Sequence, residues 1–99
     1  MKNIVNAKID STSLGTEGHG IMTLFLHLSY DGSTAQSFGG YNLTNASALA
    51  RWIKGIMDVV GVESWEDLSG KFIRVEMAPD QRIARIGNLL EDKWFDPKP

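Results

Sequence analysis

One stretch of this chain has the apolar spacing of an α-helix, and it stands among segments that read as strands. Leu49, Trp52, Ile53, Ile56, Met57 and Val60 recur at steps of three and four, which places them on one side of a helix. Thr44 or Asn45 can cap its start, and Gly61 stands where a left-handed terminating residue belongs. Gly55 in its interior costs about 1 kcal/mol against alanine, and suits a close approach to the sheet.

The remaining segments alternate with a period of two. In residues 4–14, Val5, Ala7 and Ile9 oppose Asn6, Lys8 and Asp10, the pattern of a half-buried strand. Residues 15–20 hold three glycines and read as a hairpin loop. Residues 21–30 form the strongest strand, with Met22, Leu24, Leu26, Leu28 and Tyr30 on the core face. Asp31-Gly32 is a hairpin turn pair. A third strand runs through 36–43, where Gly39-Gly40 signals a bulge or a close approach to the backbone. Ser64-Trp65-Glu66-Asp67 resembles a capping box opening a short helical turn, with aspartate in place of the usual Glu or Gln. Residues 72–77 alternate again, Pro79-Asp80 is a turn signal, and 83–86 give a last strand. The adjacent aromatics Trp94-Phe95 are expected to dock on the domain rather than stay exposed. The fold class is therefore α+β: a curled antiparallel sheet of about five strands packed on one main α-helix, with a short second helical turn. Residues 1–99 form a single domain.

Charge and composition exclude several functions. The net charge is −2, so no basic field draws the chain to DNA or to an anionic membrane. Cysteine is absent, which removes disulfides and thiolate metal sites. The apolar run at 21–28 is interrupted by Thr23 and His27 and is far short of the ~20 residues that span a bilayer. Residues 1–4 lack the apolar core of a signal peptide. A cytoplasmic protein is expected.

The residues that carry chemistry are few. His19 and His27 are the only histidines, and their spacing suits no metal site. His27 reads as a cross-strand residue, and His19 lies in a glycine loop beside Glu17. No Ser, Cys or Thr stands in a recognisable nucleophile context, so no catalysis and no cofactor are expected. Phe38-Gly39-Gly40-Tyr41 lacks phosphate-loop spacing. It is either a bulged strand with packed aromatics or a backbone platform for a base or ribose. All four arginines, Arg51, Arg74, Arg82 and Arg85, lie in the second half. Pairing across the Pro79-Asp80 turn can bring Arg74 near Arg85, either as cross-strand salt bridges with the nearby carboxylates or as an anion site.

Several blocks, in order, carry a resemblance: Asn6-Ala7-Lys8-Ile9 with Leu14-Gly15; Glu17-x-His19-Gly20-Ile21-Met22-Thr23; and Phe38-Gly39-Gly40-Tyr41-x-Leu43. After the helix come Val60-Gly61-Val62-Glu63-Ser64-Trp65-Glu66-Asp67-Leu68, then Gly70-Lys71-x-Ile73-Arg74-Val75-Glu76, then Ile86-Gly87-Asn88 with Asp92-Lys93-Trp94-Phe95. Together they resemble a group of short phage proteins, the first-described Thoeris anti-defence sponges. The resemblance implies a non-catalytic protein that sequesters glycocyclic ADP-ribose, the signal of a Toll/interleukin-receptor-domain enzyme, in the host cytosol during infection. Some members also bind cyclic oligonucleotides. Members assemble as dimers or hexamers, with pockets formed partly between subunits, and carry a longer, charged insertion where this chain has 43–48. On that basis the candidate ligand contacts are Gly39, Gly40, Tyr41, Arg74, Arg82, Arg85, Asn88, Trp94 and His19. A diphosphate needs arginine donors, and Asn88 can read an adenine edge. The alternative is a protein-interaction module that inhibits a host protein by direct docking, to which the Trp94-Phe95 tail is suited.

Overall fold

A computed structural model of the chain describes residues 3–18, 20–40 and 45–97. The architecture is α+β, with one antiparallel six-stranded sheet and one main helix. The strands are β1 (Asn3–Thr16), β2 (Met22–Tyr30), β3 (Thr34–Gly40), β4 (Phe72–Met77), β5 (Ile83–Gly87) and β6 (Trp94–Phe95), in the order β3-β2-β1-β4-β5-β6. The helix α1 (Ala46–Val60) follows β3, and a single 3-10 turn (Trp65–Asp67) precedes β4. The sixth strand is two residues of the tail, so the aromatics expected to dock do so as part of the sheet.

The long strand β1 serves two partners. Its first half, Asn3 to Lys8, pairs with β4, and the stretch from Lys8 to Thr16 pairs with β2. A register shift between Ile9 and Ser11 leaves Asp10 as the extra residue of a bulge. A bulge bends the strand and increases its twist. It also reverses side-chain parity, so that Ala7 and Ile9 share a face with Thr12 and Leu14, which sit opposite Leu26 and Leu24. A second register shift leaves Ala84 extra in β5, so that Ile83 lies opposite Met77 and Ile86 opposite Val75, all on the core side.

These bends curl the open sheet so that its edge strand β3 reaches the β4–β5 hairpin. Gln36 of β3 accepts from the Ile83 N–H (2.8 Å) and donates through Nε2 to the Gln81 carbonyl (3.0 Å) and the Tyr30 hydroxyl (3.0 Å). The helix closes the remaining gap. Trp52 packs on Phe38 of β3 at 5.5 Å and on Phe95 of β6 at 5.1 Å. A Cβ on Gly55 would lie 2.5 Å from the Phe95 ring, so that glycine does allow the close approach. Asn45 is the helix cap, its side chain accepting from Ala48 N–H at 2.7 Å, and Gly61 adopts the left-handed conformation at φ 90°. The other candidate cap, Thr44, lies outside the described residues.

The core gathers Ile9, Leu24, Leu26 and Leu28 from β1 and β2, Ile73 and Val75 from β4, Ile86 from β5, Ile56 from the helix and Leu68 from the turn after it. Each such side chain contributes about 1.5–3 kcal/mol when buried. Among the described residues no helix is long and apolar enough to cross a membrane.

The Gln36 bridge gives a direct test of the curl. Gln36→Ala removes three hydrogen bonds and leaves the Ile83 N–H without its acceptor. We expect a loss of about 2 kcal/mol, near the penalty for an unsatisfied partly buried donor. Amide exchange at Ile83 should rise by the corresponding factor, while exchange at Leu26 follows global stability alone.

The capping box expected at Ser64 does not form. The Ser64 hydroxyl makes no cap bond to the backbone and donates instead to the Glu66 carboxylate. The aspartate three residues on cannot restore the reciprocal bond; its N–H donates to the Ser64 carbonyl. The Ser64 hydroxyl, and next a backbone bond, hold the Glu66 carboxyl below its ordinary value of 4.5. With the folded value lowered, this interaction favours the folded state above that pH and is lost as pH falls through the folded value. An NMR titration should place the Glu66 midpoint under 4.5, and Ser64→Ala should raise it.

Candidate binding cleft

The helix and the edge strand β3 enclose a cleft of about 760 Å³. One wall is the continuous strand segment from Gln36 to Gly40, and the other is the N-terminal half of α1 at Ala48, Arg51 and Trp52. Arg82 and Ile83 of the β4–β5 hairpin and Pro97 of the tail complete the lining. Antiparallel pairing places β3 here: Leu26 lies opposite Phe38 and Leu24 opposite Gly40. Phe38 is therefore buried beneath the cleft, with Trp52 beside it.

The two glycines of this wall differ in their role. Gly39 has φ 141°, and a Cβ there would overlap the Leu24 carbonyl oxygen of β2. The pairing of β3 with β2 runs through both glycines without a register shift, so of the two expectations for Gly39-Gly40 the close backbone approach is realised and the bulge is not. Gly40 has nothing within 4 Å of its Cβ position and faces open space.

Two guanidiniums reach the cleft. Arg82 is 86% exposed, and its Nε lies 3.7 Å from Asp80, a surface pair that holds it weakly. Arg51 projects from α1 and donates to the tail, through Nη2 to the Asp96 carbonyl (2.7 Å) and through Nη1 to the Pro97 carbonyl (3.3 Å). Its Cζ stands 5.2 Å from the Phe95 ring centroid. The cleft thus combines the side-chain-free pair Gly39-Gly40, an aromatic floor and two cationic groups.

The structure divides the residues that the sequence put forward. Gly39, Gly40 and Arg82 meet at the cleft. Arg74, Arg85 and Trp94 do not line it. They meet on the opposite face of the sheet, where the Trp94 ring lies over Gly87 with Arg74 Cζ 5.0 Å and Arg85 Cζ 4.4 Å from its centroid. Antiparallel pairing does bring Arg74 and Arg85 to one indole, as the hairpin suggested, but strand parity turns both away from β3. Arg85 pairs with Glu76 at 3.0 Å, a partly buried cross-strand salt bridge. Its buried Nε has no hydrogen-bond partner among the described residues, and the indole π face is the electron-rich neighbour of that guanidinium. Arg74 donates to the carbonyls of Asn88 (2.7 Å) and Glu91 (2.8 Å), and so clasps the loop before β6.

Asn88 is also part of this framework and does not line the cleft. Its Nδ2 donates to the Val59 carbonyl at the helix end, and its Oδ1 accepts from the N–H groups of Leu90 and Glu91. With its amide engaged on both sides, Asn88 orders a loop rather than reading a base edge. Tyr41 and His19 lie outside the described residues.

His27 occupies the outer face, with Nε2 2.8 Å from the Ser13 hydroxyl and Nδ1 3.0 Å from the Ser37 hydroxyl. It links three strands, the cross-strand role read from its position. Among the described residues no group of three or more His, Cys, Asp or Glu side chains could hold a metal ion.

Sequence reasoning noted Arg51 only as one arginine of four. Its position one residue before the stripe residue Trp52 was the available signal, because it places the side chain at the border of the buried face of α1. Compared with protein families, with curated proteins and with solved structures, the chain has no match.

Proposed function

We propose that this chain is a phage anti-defence sponge that binds a cyclic nucleotide signal of the glycocyclic ADP-ribose type in the β3–α1 cleft and holds it without turnover. The observation that carries the reading is the convergence of Gly39-Gly40, Trp52, Arg51 and Arg82 on one cleft of about 760 Å³, within the roughly 300–1,000 Å³ of small-molecule sites. A diphosphate is met by guanidinium donors, a planar base by an aromatic side chain, and a ribose by the bare backbone of Gly39-Gly40. Sequestration needs no general acid or base. It needs a Kd below the signal concentration. Such a protein acts in the host cytosol and blocks the effector by depleting its activator. The sequence resemblance also supports assembly of the chain as a homo-oligomer, a dimer or hexamer.

The test is retention followed by release. The protein is incubated with glycocyclic ADP-ribose, freed of unbound ligand, heated, and the supernatant analysed by mass spectrometry. We expect stoichiometric ligand of unchanged mass. A changed mass would make the protein an enzyme, and no retained ligand would reject the reading. The docking alternative loses its main support, because Phe95 is buried and Trp94 is covered by two guanidiniums.

A further inference from the structure

We infer that Gln36 is a positioning residue of the cleft: it clamps the backbone on both sides of Arg82 and so presets that guanidinium for the phosphate of the ligand. The inference rests on the reading of the β3–α1 cleft as a ligand site, and adds a residue that governs its affinity for phosphate.

Arg82 has little hold of its own. Its side chain is almost wholly exposed, and its Nε stands 3.7 Å from Asp80, a carboxylate that is itself exposed. It follows Gln81, whose φ of 71° is a left-handed conformation that residues other than glycine rarely adopt. Such a residue persists only where its surroundings hold it. Within the turn, the Gln81 N–H donates to the Ala78 carbonyl (2.9 Å), the Ala78 N–H donates to the Arg82 carbonyl (2.8 Å), and the Arg82 N–H donates to the Asp80 carboxylate (3.1 Å). These bonds close the turn on itself and do not tie it to β3.

The tie to β3 is Gln36. Strand alternation puts Gln36 on the same face as buried Phe38, and so on the cleft side of β3. Its Oε1 accepts from the Ile83 N–H at 2.8 Å, and its Nε2 donates to the Gln81 carbonyl at 3.0 Å. Those two residues flank Arg82 in the chain. One partner is a donor and the other an acceptor, so the amide fits in a single orientation. The second Nε2 hydrogen goes to the Tyr30 hydroxyl at 3.0 Å. Both amide hydrogens are therefore spent. Gln36 lines the cleft, yet it serves the ligand through Arg82 and not by donating to it. A guanidinium whose backbone is fixed before the ligand arrives loses less freedom on binding. Without the clamp the turn is free to swing relative to β3, and the affinity that Arg82 supplies falls.

The experiment is a double-mutant cycle on the full chain. Kd for glycocyclic ADP-ribose is measured by isothermal titration for the parent, Gln36→Ala, Arg82→Gln and the double variant, each checked for a native amide spectrum. We expect Arg82→Gln to weaken binding roughly 10-fold or more, and Gln36→Ala to weaken it roughly 5- to 10-fold. The double variant should bind within about 2-fold of Arg82→Gln alone, because residues that act through one contact are not additive. A Gln36→Ala Kd equal to the parent's would overturn the clamp and leave the cleft reading standing. A full further loss in the double variant would also overturn it, since Gln36 would then act on the ligand or on the fold at large. No binding by the parent would overturn both. Should Gln36→Ala not fold, the unliganded parent carries the test: backbone order parameters of Gln81, Arg82 and Ile83 are expected near ~0.85, and values below ~0.6 would overturn the preset turn.

Discussion

Gly39→Ala is expected to destabilise the protein by about 3 kcal/mol or more, whereas Gly40→Ala, one residue on, should leave stability unchanged or raised by about 0.5 kcal/mol. The contrast follows from backbone geometry. Gly39 holds φ 141°, and the added methyl would strike the Leu24 carbonyl oxygen. That oxygen belongs to the adjacent strand β2, so relief requires moving one strand away from the other. A side chain in so sparsely populated a backbone region costs about 1–3 kcal/mol, and overpacking of a tight contact adds about 1–3 kcal/mol. A domain of this size has ~5–15 kcal/mol in total, so the substitution removes a large share of it. Gly40 has an open Cβ position. Alanine there restricts the unfolded chain and projects into the cleft. Urea denaturation of both variants measures the difference, read from the midpoint at constant slope. Equal stabilities would mean that β3 does not approach β2 as described.

Phe95→Ala is expected to cost about 3–5 kcal/mol, the range for truncating a buried aromatic ring. Phe95 is only 6% exposed. Its ring meets Trp52 edge-on at 5.1 Å and Phe38 at 6.4 Å, and fills the space that Gly55 leaves open on α1. Removing it opens a cavity at the point where the two ends of the curled sheet and the helix converge. The effect is therefore not confined to the tail: Trp52, which floors the cleft, loses its neighbour, and its fluorescence should shift to the red as water enters. Thermal unfolding of Phe95→Ala beside Phe95→Leu separates lost volume from lost ring geometry, with leucine recovering about half the loss. A loss below about 1 kcal/mol for alanine would mean that β6 is not part of the core.

The helix was legible in the sequence because three independent signals agree: the apolar stripe, Asn45 before it and Gly61 after it. Strand β2 was legible because its alternation is uninterrupted, and Leu24, Leu26 and Leu28 are all fully buried. What the sequence did not disclose lies where parity breaks. The bulge at Asp10 moves the core face of β1 from Ile9 to Thr12, which a fixed period of two cannot follow. The bulge at Ala84 likewise keeps Ile83 and Ile86 on one face although they are an odd number of residues apart. Strand β6 was hidden by its length, since a pair of residues has no measurable period.

The candidate site divided for a related reason. Local pairing predicts that Arg74 and Arg85 approach one another, and they share the Trp94 ring. Strand parity turns that pair outward, since Arg74 alternates with the buried Ile73 and Val75 and Arg85 lies opposite Glu76; the place of the cleft, on the inner side between β3 and α1, depends instead on the curl set by two bulges and the Gln36 bridge. Arg82 lies beyond the second bulge, in the hairpin loop next to Gln36, and so falls at the cleft. Asn88 carries the residue type of a base reader, but its carbonyl and amide are both committed to the backbone around the helix end.

The proposed ligand site is the cleft rather than the outer arginine face. Isothermal titration of glycocyclic ADP-ribose into two variants decides between them: Arg51→Gln with Arg82→Gln, and Arg74→Gln alone, each checked for a native fold by its amide spectrum. Each lost guanidinium–phosphate interaction removes about 1.5–3 kcal/mol, or roughly 10- to 100-fold in Kd per arginine. The first variant is expected to bind at least ~100-fold more weakly, while the second stays within ~3-fold of the parent. Undiminished binding by the cleft variant, together with loss of binding in Arg74→Gln, would contradict that assignment.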